Sequence, residues 1–117
     1  MGAGVLTHPF PRVDGELKAG SFGLTELAER FGTPLYVYDL EHIKTRYHAF
    51  SHAFRDVDHL VAYSVKANGS LALLHRLGRL GAGADIVSLG ELYRVLRAGI
   101  APEKVLFKRR IQPGRMF

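Results

Sequence analysis

The stretch LVAYSVKANGSLALLHRLGRLGAGADIVSLGELYRVL, residues 60–96, decides the fold of this chain. Its apolar, β-branched and aromatic beginning predicts a strand at 60–63. Ser70 is a suitable N-cap for the helix that follows, whose leucines recur every three or four residues up to Gly81. A second apolar run predicts a strand at 84–87. Because a strand, a helix and a strand follow one another, the two strands are expected to be parallel.

The same alternation continues on both sides of this stretch. Downstream, Ser88 and Glu91 fit a capping box at the start of a helix, in which each side chain satisfies the other's backbone N–H. A further strand is predicted at 105–107. Upstream, the aromatic run at 35–38 predicts a strand, and Asp39 is suited to cap the next helix. That helix carries one apolar stripe, formed by Leu40, Ile43, Tyr47, Phe50 and Phe54.

The spacing of these elements indicates an α/β fold. A short helix is predicted at 25–31, and strands begin near residues 35, 60, 84 and 105, each pair separated by a helix. Two architectures fit this repeat, an open doubly wound sheet and the beginning of a (β/α)8 barrel. A complete barrel needs roughly 250 residues. The 117 residues of this chain provide fewer than half of that number.

Composition excludes several classes of protein. The chain has no cysteine, which excludes a disulfide framework, a cysteine-ligated zinc site and a cysteine nucleophile. No apolar run approaches the roughly 20 residues of a membrane span, and residues 1–10 lack the pattern of a secretory signal, so a cytoplasmic protein is expected. The net charge of +5 invites a nucleic-acid partner. Four of the sixteen basic side chains lie in residues 108–117, without aromatic platforms, so no nucleic-acid or membrane partner is expected.

Lys66 is the strongest candidate for chemistry. It directly follows the predicted strand at the centre of the chain, and sites in parallel α/β folds form at the C-terminal ends of strands. A lysine shielded from water loses its proton more readily and can attack an aldehyde, and Ala67 and Gly69 leave room for a flat ring. From spacing alone, a solvated surface lysine is the commoner alternative. His48 and His52 are better explained as a solvated helix face than as a metal pair.

Three motifs carry a resemblance to a known family. They are GTPLYVYD at 32–39, YSVKAN at 63–68 and GADIVSLGEL at 83–92. In order and spacing they are similar to motifs of the diaminopimelate decarboxylases, which are alanine-racemase-like, fold-type III enzymes that depend on pyridoxal 5'-phosphate. The resemblance extends over about residues 12–107. It distinguishes the diaminopimelate decarboxylases less clearly from related amino-acid decarboxylases than from other proteins.

The resemblance implies a fold, a cofactor and two site residues. The fold is α/β, with the first βα units of a (β/α)8 barrel that binds pyridoxal phosphate. Lys66 is implied as the catalytic, cofactor-binding lysine that forms the Schiff base. Asp85 is implied as a second cofactor-binding residue that orients Lys66 or stabilises its charge. An alternative stays equally open, in which Asp85 instead supports Ser88 at the start of the next helix. The implied domains are an N-terminal arm at 1–23, a partial barrel domain at 24–107 and a divergent basic tail at 108–117.

The implied activity is the decarboxylation of meso-diaminopimelate to L-lysine, a lyase reaction of lysine biosynthesis with a small amino-acid substrate. The family's enzymes are homodimers. Two alternatives stay open. The first is another fold-type III protein, such as an ornithine/arginine-type decarboxylase, a racemase or a cofactor-homeostasis protein. The second is a non-catalytic interaction fragment.

The resemblance ends after Phe107. The family continues there with a sequence resembling Ser-Gly-Val-Gly-Lys, whereas this chain has Lys108, Arg109 and Arg110. A shifted reading frame is one hypothesis for this departure. The family's phosphate-binding and substrate-binding residues would follow residue 117. We therefore expect this polypeptide to be an inactive portion of such an enzyme, and dimerisation of the chain is doubtful.

Overall fold

The computed structural model describes residues 8–107. The chain divides into two compact units, Met1–Phe50 and Ser51–Phe117, and each unit has its own three-stranded sheet. The predicted basic tail at 108–117 lies outside the described residues, as do the first seven residues of the predicted N-terminal arm.

The first unit begins with a small antiparallel sheet. Its strands are β1 (Arg12–Val13), β2 (Glu16–Ala19) and β3 (Phe22–Gly23), hydrogen-bonded in the order β1-β2-β3. Asp14 and Gly15 connect β1 and β2 with positive φ angles of 49° and 81°, as the tightest hairpin loops require. Residues 12–23 are therefore more regular than the sequence predicts, although Asp-Gly is a turn signal.

Two helices follow in the chain. Helix α1 (Leu24–Phe31) confirms the short helix predicted at 25–31 and ends at Gly32, whose φ of 81° stops the helix. Helix α2 (Leu40–Ala53) begins where Asp39 predicts it. The Asp39 Oδ1 atom accepts a hydrogen bond from the backbone N–H of His42 at 3.1 Å, which confirms the predicted cap.

The prediction of a strand at 35–38 is wrong. These residues have no regular secondary structure. A strand exists only as part of a hydrogen-bonded ladder, and within residues 8–107 no strand pairs with this run. Aromatic and β-branched composition gives a preference for extended backbone but supplies no partner, so the local signal does not decide the outcome.

The second unit contains a parallel sheet with interleaved helices. In chain order its elements are β4 (Ala62–Ser64), α3 (Leu71–Leu80), β5 (Gly83–Ile86), α4 (Leu89–Arg97) and β6 (Val105–Phe107). The strands are parallel in the order β4-β5-β6, which confirms three of the predicted strands to within two residues. Gly81, with a φ of 101°, ends α3 as predicted.

The core of this unit lies on one face of the parallel sheet. It consists of buried side chains from the strands and from α3, α4 and the segment that follows α4: Val65, Leu74, Ala84, Ile86, Val95, Ala98 and Ile100. Because side chains alternate along a strand, the presence of Ala84 and Ile86 in the core places Gly83 and Asp85 on the opposite face of β5. The β4–β5 register places Ala62 beside Gly83 and Ser64 beside Asp85. On β6, Leu106 lies beside Asp85, so the second face combines the small residues Ala62, Ser64 and Gly83 with one carboxylate and one large apolar side chain.

The strand order is informative about the architecture. Each strand is added beside the preceding one, as in a barrel and as in one half of a doubly wound sheet. The order confirms the α/β class, and both predicted architectures are compatible with it.

Candidate functional site

Lys66 lies where the sequence predicts it, at the C-terminal end of β4. The strand ends at Ser64 and continues directly into a 3-10 turn, Val65–Ala67. Val65 is buried at 1% exposure and fixes the turn to the core, whereas Lys66 itself is exposed. Burial of the preceding residue thus presents the lysine at the edge where the C-terminal ends of parallel strands meet.

The backbone after Lys66 is held by several hydrogen bonds. The N–H of Asn68 donates to the Val65 carbonyl at 3.1 Å and closes the turn. The Asn68 Oδ1 atom accepts from the N–H of Ser70 at 2.9 Å, so Asn68 supports the loop backbone as the sequence suggests. Two side chains from other parts of the unit also reach this loop. The hydroxyl of Tyr63 donates to the Asn68 carbonyl at 3.1 Å, and Arg94 donates to the Gly69 carbonyl at 3.2 Å.

Asp85 lies on the neighbouring strand, near the same edge. It is half-buried in β5, in register with Ser64, on the face of the sheet opposite the core. The 3-10 turn that carries Lys66 contacts β5. Within residues 8–107 no hydrogen bond or ion pair joins Lys66 to Asp85, so the two side chains share an edge of the sheet without pairing directly.

The start of α4 is stabilised by Glu91 rather than by Asp85. The Ser88 Oγ atom accepts from the N–H of Glu91 at 3.1 Å, which confirms half of the predicted capping box. The reciprocal bond differs from the prediction, since the Glu91 carboxylate accepts from the N–H of Val87, at 2.6 Å, instead of from Ser88. In the structure, Glu91 therefore supplies the carboxylate at the start of α4 that the alternative expected from Asp85.

Other candidate features remain unremarkable in the structure. His48 and His52 are exposed on α2. Among residues 8–107 there is no group of three or more histidine, cysteine or acidic side chains that could hold a metal ion. In the same part of the chain, no helix has the length and apolar character needed to cross a membrane.

The residues at this edge fit the reactive end of an aldehyde cofactor. Lys66 supplies an exposed primary amine, and Asp85 supplies a carboxylate on the adjacent strand. Ala62 and Ser64 on the same face have small side chains. An amine that can form an imine, beside an acidic group and small side chains, is the donor set that pyridoxal chemistry uses.

A comparison with family models identifies residues 40–115 as "Pyridoxal-dependent decarboxylase, pyridoxal binding domain". The chain belongs to this family. Its matched region includes the Lys66 turn, Asp85 and both helices that flank β5. Pyridoxal phosphate is accordingly the cofactor of this domain, in agreement with the donor set described above.

Relatives within the pyridoxal-dependent decarboxylase family are diaminopimelate decarboxylases. That of Pseudomonas aeruginosa is 54% identical over 94 residues, which cover 80% of this chain and 23% of the relative. A solved structure of diaminopimelate decarboxylase from M. jannaschii matches 86% of this chain and 24% of its own length, with a TM-score of 0.81 and 39% identity. A second structure of that enzyme, in complex with L-lysine, matches 84% of this chain and 24% of its own length, with a TM-score of 0.75 and 39% identity.

These matches decide between the two architectures. The second unit has the fold of the first βα units of a (β/α)8 barrel that binds pyridoxal phosphate, rather than of a doubly wound sheet. The chain spans about a quarter of the length of the relatives that it matches.

Arg94 is the site contact that sequence reasoning did not find. Its guanidinium reaches a carbonyl 25 positions earlier in the chain, and no local pattern signals such a contact. Tyr63 belongs to the YSVKAN motif, but the motif alone does not show that its hydroxyl bonds to the Asn68 carbonyl.

Proposed function

We propose that this chain is the lysine-bearing portion of a pyridoxal-phosphate-dependent decarboxylase that converts meso-diaminopimelate to L-lysine. The observation that carries the proposal is the presentation of Lys66 on an anchored turn at the C-terminal edge of β4. The 54% identity to a diaminopimelate decarboxylase supports the substrate, and the L-lysine complex of a structural neighbour is consistent with the product.

Lys66 and Asp85 have distinct roles in this proposal. The Lys66 amine would hold the cofactor through its aldehyde carbon, and its flexible stem allows it to release and recapture that carbon. Asp85, one strand away, would orient the ammonium form of Lys66 and balance its charge. When bound, the cofactor supplies the electron-accepting ring that decarboxylation requires.

The surrounding residues keep this lysine in a defined place. Buried Val65 fixes the backbone on one side of Lys66, and the hydrogen-bonded loop at 68–70 fixes it on the other. The Lys66 side chain itself is exposed and therefore accessible. The arrangement combines a long, exposed side chain with a hydrogen-bonded backbone, which favours repeated covalent exchange at one atom.

The remaining features of the proposal concern the whole protein. We assign the partial barrel domain to 24–107, with an N-terminal arm at 1–23 and a basic tail at 108–117. The substrate is a small amino acid in the cytoplasm, and dimerisation of this chain is doubtful. The 117-residue polypeptide itself is expected to have little or no decarboxylase activity, because its described residues offer one proposed catalytic residue, Lys66, and one further proposed cofactor-binding residue, Asp85.

A chimera tests the proposed function. Residues of this chain replace the matching 94-residue stretch of the Pseudomonas aeruginosa enzyme, and carbon dioxide release is measured with meso-diaminopimelate, ornithine and arginine. We expect the chimera to decarboxylate meso-diaminopimelate preferentially, and the Lys66→Ala chimera to be inactive. The isolated chain serves as the second sample and is expected to be inactive.

Two results would contradict the proposal. A folded chimera that binds the cofactor but does not decarboxylate meso-diaminopimelate would show that this chain cannot perform the function of the matching stretch of a diaminopimelate decarboxylase. Production of L-lysine by the purified 117-residue chain would show that the chain is not an inactive portion.

A further inference from the structure

Helix α4 makes an unexpected contact with the loop that follows Lys66. Arg94 lies in the second half of α4, and its Nη1 atom donates to the carbonyl of Gly69 at 3.2 Å. A hydrogen bond from a guanidinium is charge-assisted and therefore stronger than a bond between two neutral groups. The bond joins Gly69, the third residue after Lys66, to a helix that begins 20 residues after Gly69.

The stem of Arg94 packs beside the same loop. A Cβ atom built on Gly69 would lie 3.5 Å from the Arg94 Cδ atom and 3.8 Å from the Val65 Cγ1 atom, both at ordinary contact distance. Gly69 is thus close to the arginine stem on one side and to the buried anchor of the Lys66 turn on the other.

Tyr63 holds the neighbouring carbonyl. Its hydroxyl donates to Asn68 at 3.1 Å, so two consecutive carbonyls, those of Asn68 and Gly69, accept from side chains of β4 and α4. The loop cannot shift without breaking at least one of these bonds. Since Asn68 also closes the turn onto the Val65 carbonyl, any such shift would be transmitted to Lys66.

We propose that Arg94 is a positioning residue for Lys66. It braces the loop at 68–70 against α4 and so holds Lys66 at the C-terminal end of β4, where the cofactor would bind. Arg94 does not touch the reacting atoms; it acts through the backbone of the loop. Glu91 holds the N–H of Val87 one helical turn earlier, so α4 braces the loops that follow both β4 and β5. The inference rests on the proposed role of Lys66 as the cofactor lysine.

Amide hydrogen exchange of the full 117-residue chain without cofactor tests the brace directly. The variants are Arg94→Gln, Arg94→Lys and Tyr63→Phe, and Arg97→Gln is the matched control because Arg97 is exposed one turn further along α4. We expect Arg94→Gln to increase the exchange rates of the Asn68 and Ser70 amides about tenfold, the effect of losing one such hydrogen bond. Arg94→Lys restores part of the protection, and the amide of Val95, inside α4, changes less than the two loop amides.

Covalent labelling provides the second readout. The chain is incubated with pyridoxal phosphate, reduced with borohydride and mapped by mass spectrometry. We expect Arg94→Gln to slow labelling of Lys66 about tenfold relative to Lys104, and Arg97→Gln to leave the ratio unchanged. A purely structural role would lower the melting temperature and leave the ratio of Lys66 to Lys104 labelling unchanged.

The outcomes separate the inference from the proposed function. Unchanged exchange at Asn68 and Ser70 in Arg94→Gln would overturn the brace; should that variant fail to fold, unchanged exchange in Arg94→Met, which keeps the apolar stem and removes the guanidinium, would do the same. If Lys66 is not labelled preferentially in the chimera with the Pseudomonas aeruginosa enzyme, which supplies the remaining residues of the family, the proposed function fails, while the exchange experiment on the chain still decides whether Arg94 braces the loop.

Discussion

Gly83 shows how a single residue without a side chain fixes the sheet that carries the site. It lies in β5 and is buried between β4 and β6. A Cβ atom at this position would overlap the backbone carbonyl of Lys104 and would lie 3.0 Å from the Leu60 Cδ2 atom. Because a backbone atom cannot move aside as a flexible side chain can, only glycine lets β6 approach this closely.

Gly83→Ala is therefore expected to destabilise the protein. The added methyl group forces β5 and β6 apart, at a cost of about 1–3 kcal/mol. Urea unfolding followed by circular dichroism measures the effect. Gly90→Ala is the control, since its added Cβ would meet nothing closer than the Ser88 Oγ atom at 3.8 Å and alanine favours the helix. Equal stability of Gly83→Ala and the unsubstituted chain would refute the close approach of the strands.

At the scale of elements, two helices of the second unit begin with serine but use it differently. Ser88 caps α4 through its side chain, whereas the side chain of Ser70, at the start of α3, makes no capping hydrogen bond. At the latter position, the Asn68 side chain accepts from the Ser70 N–H. The serine side chain is thus expected to contribute differently to the free energy of unfolding at the two helix starts.

Ser88→Ala is expected to cost about 1 kcal/mol of stability, the usual value of a lost side-chain cap. Ser70→Ala should cost clearly less, because no capping bond is lost. Thermal unfolding of the two variants side by side provides the comparison. An equal loss in both would show that the Ser88 contact contributes nothing to the stability of α4.

The elements that the sequence predicts correctly are those with a local physical cause. Asp39 begins α2 because its carboxylate accepts a hydrogen bond three residues later, and Gly81 ends α3 because glycine readily adopts a positive φ. The run at 35–38 fails because a strand depends on a partner that its own residues do not encode. The reciprocal bond of Glu91 moves to Val87, a one-residue shift that capping statistics do not resolve.

At the scale of the whole molecule, the sequence predicts where the candidate site residues lie in the fold but not which long-range contacts surround them. The βα repeat places Lys66 and the strand of Asp85 at one edge of a parallel sheet, and the structure has this arrangement. The brace from Arg94 to Gly69 spans 25 positions and depends on how α4 packs, so no sequence pattern reveals it. Long-range contacts of this kind come only from the assembled fold.

The central claim is that Lys66 is the lysine which this fold presents to pyridoxal phosphate. The most direct measurement is borohydride trapping of the purified chain with the cofactor, followed by peptide mapping, with Lys44→Ala as the control for Lys66→Ala. Lys44 is an exposed lysine of α2. We predict that Lys66 carries most of the label, that Lys66→Ala abolishes this selective labelling, and that Lys44→Ala does not. Equal labelling of the exposed lysines, unaffected by Lys66→Ala, would contradict the claim.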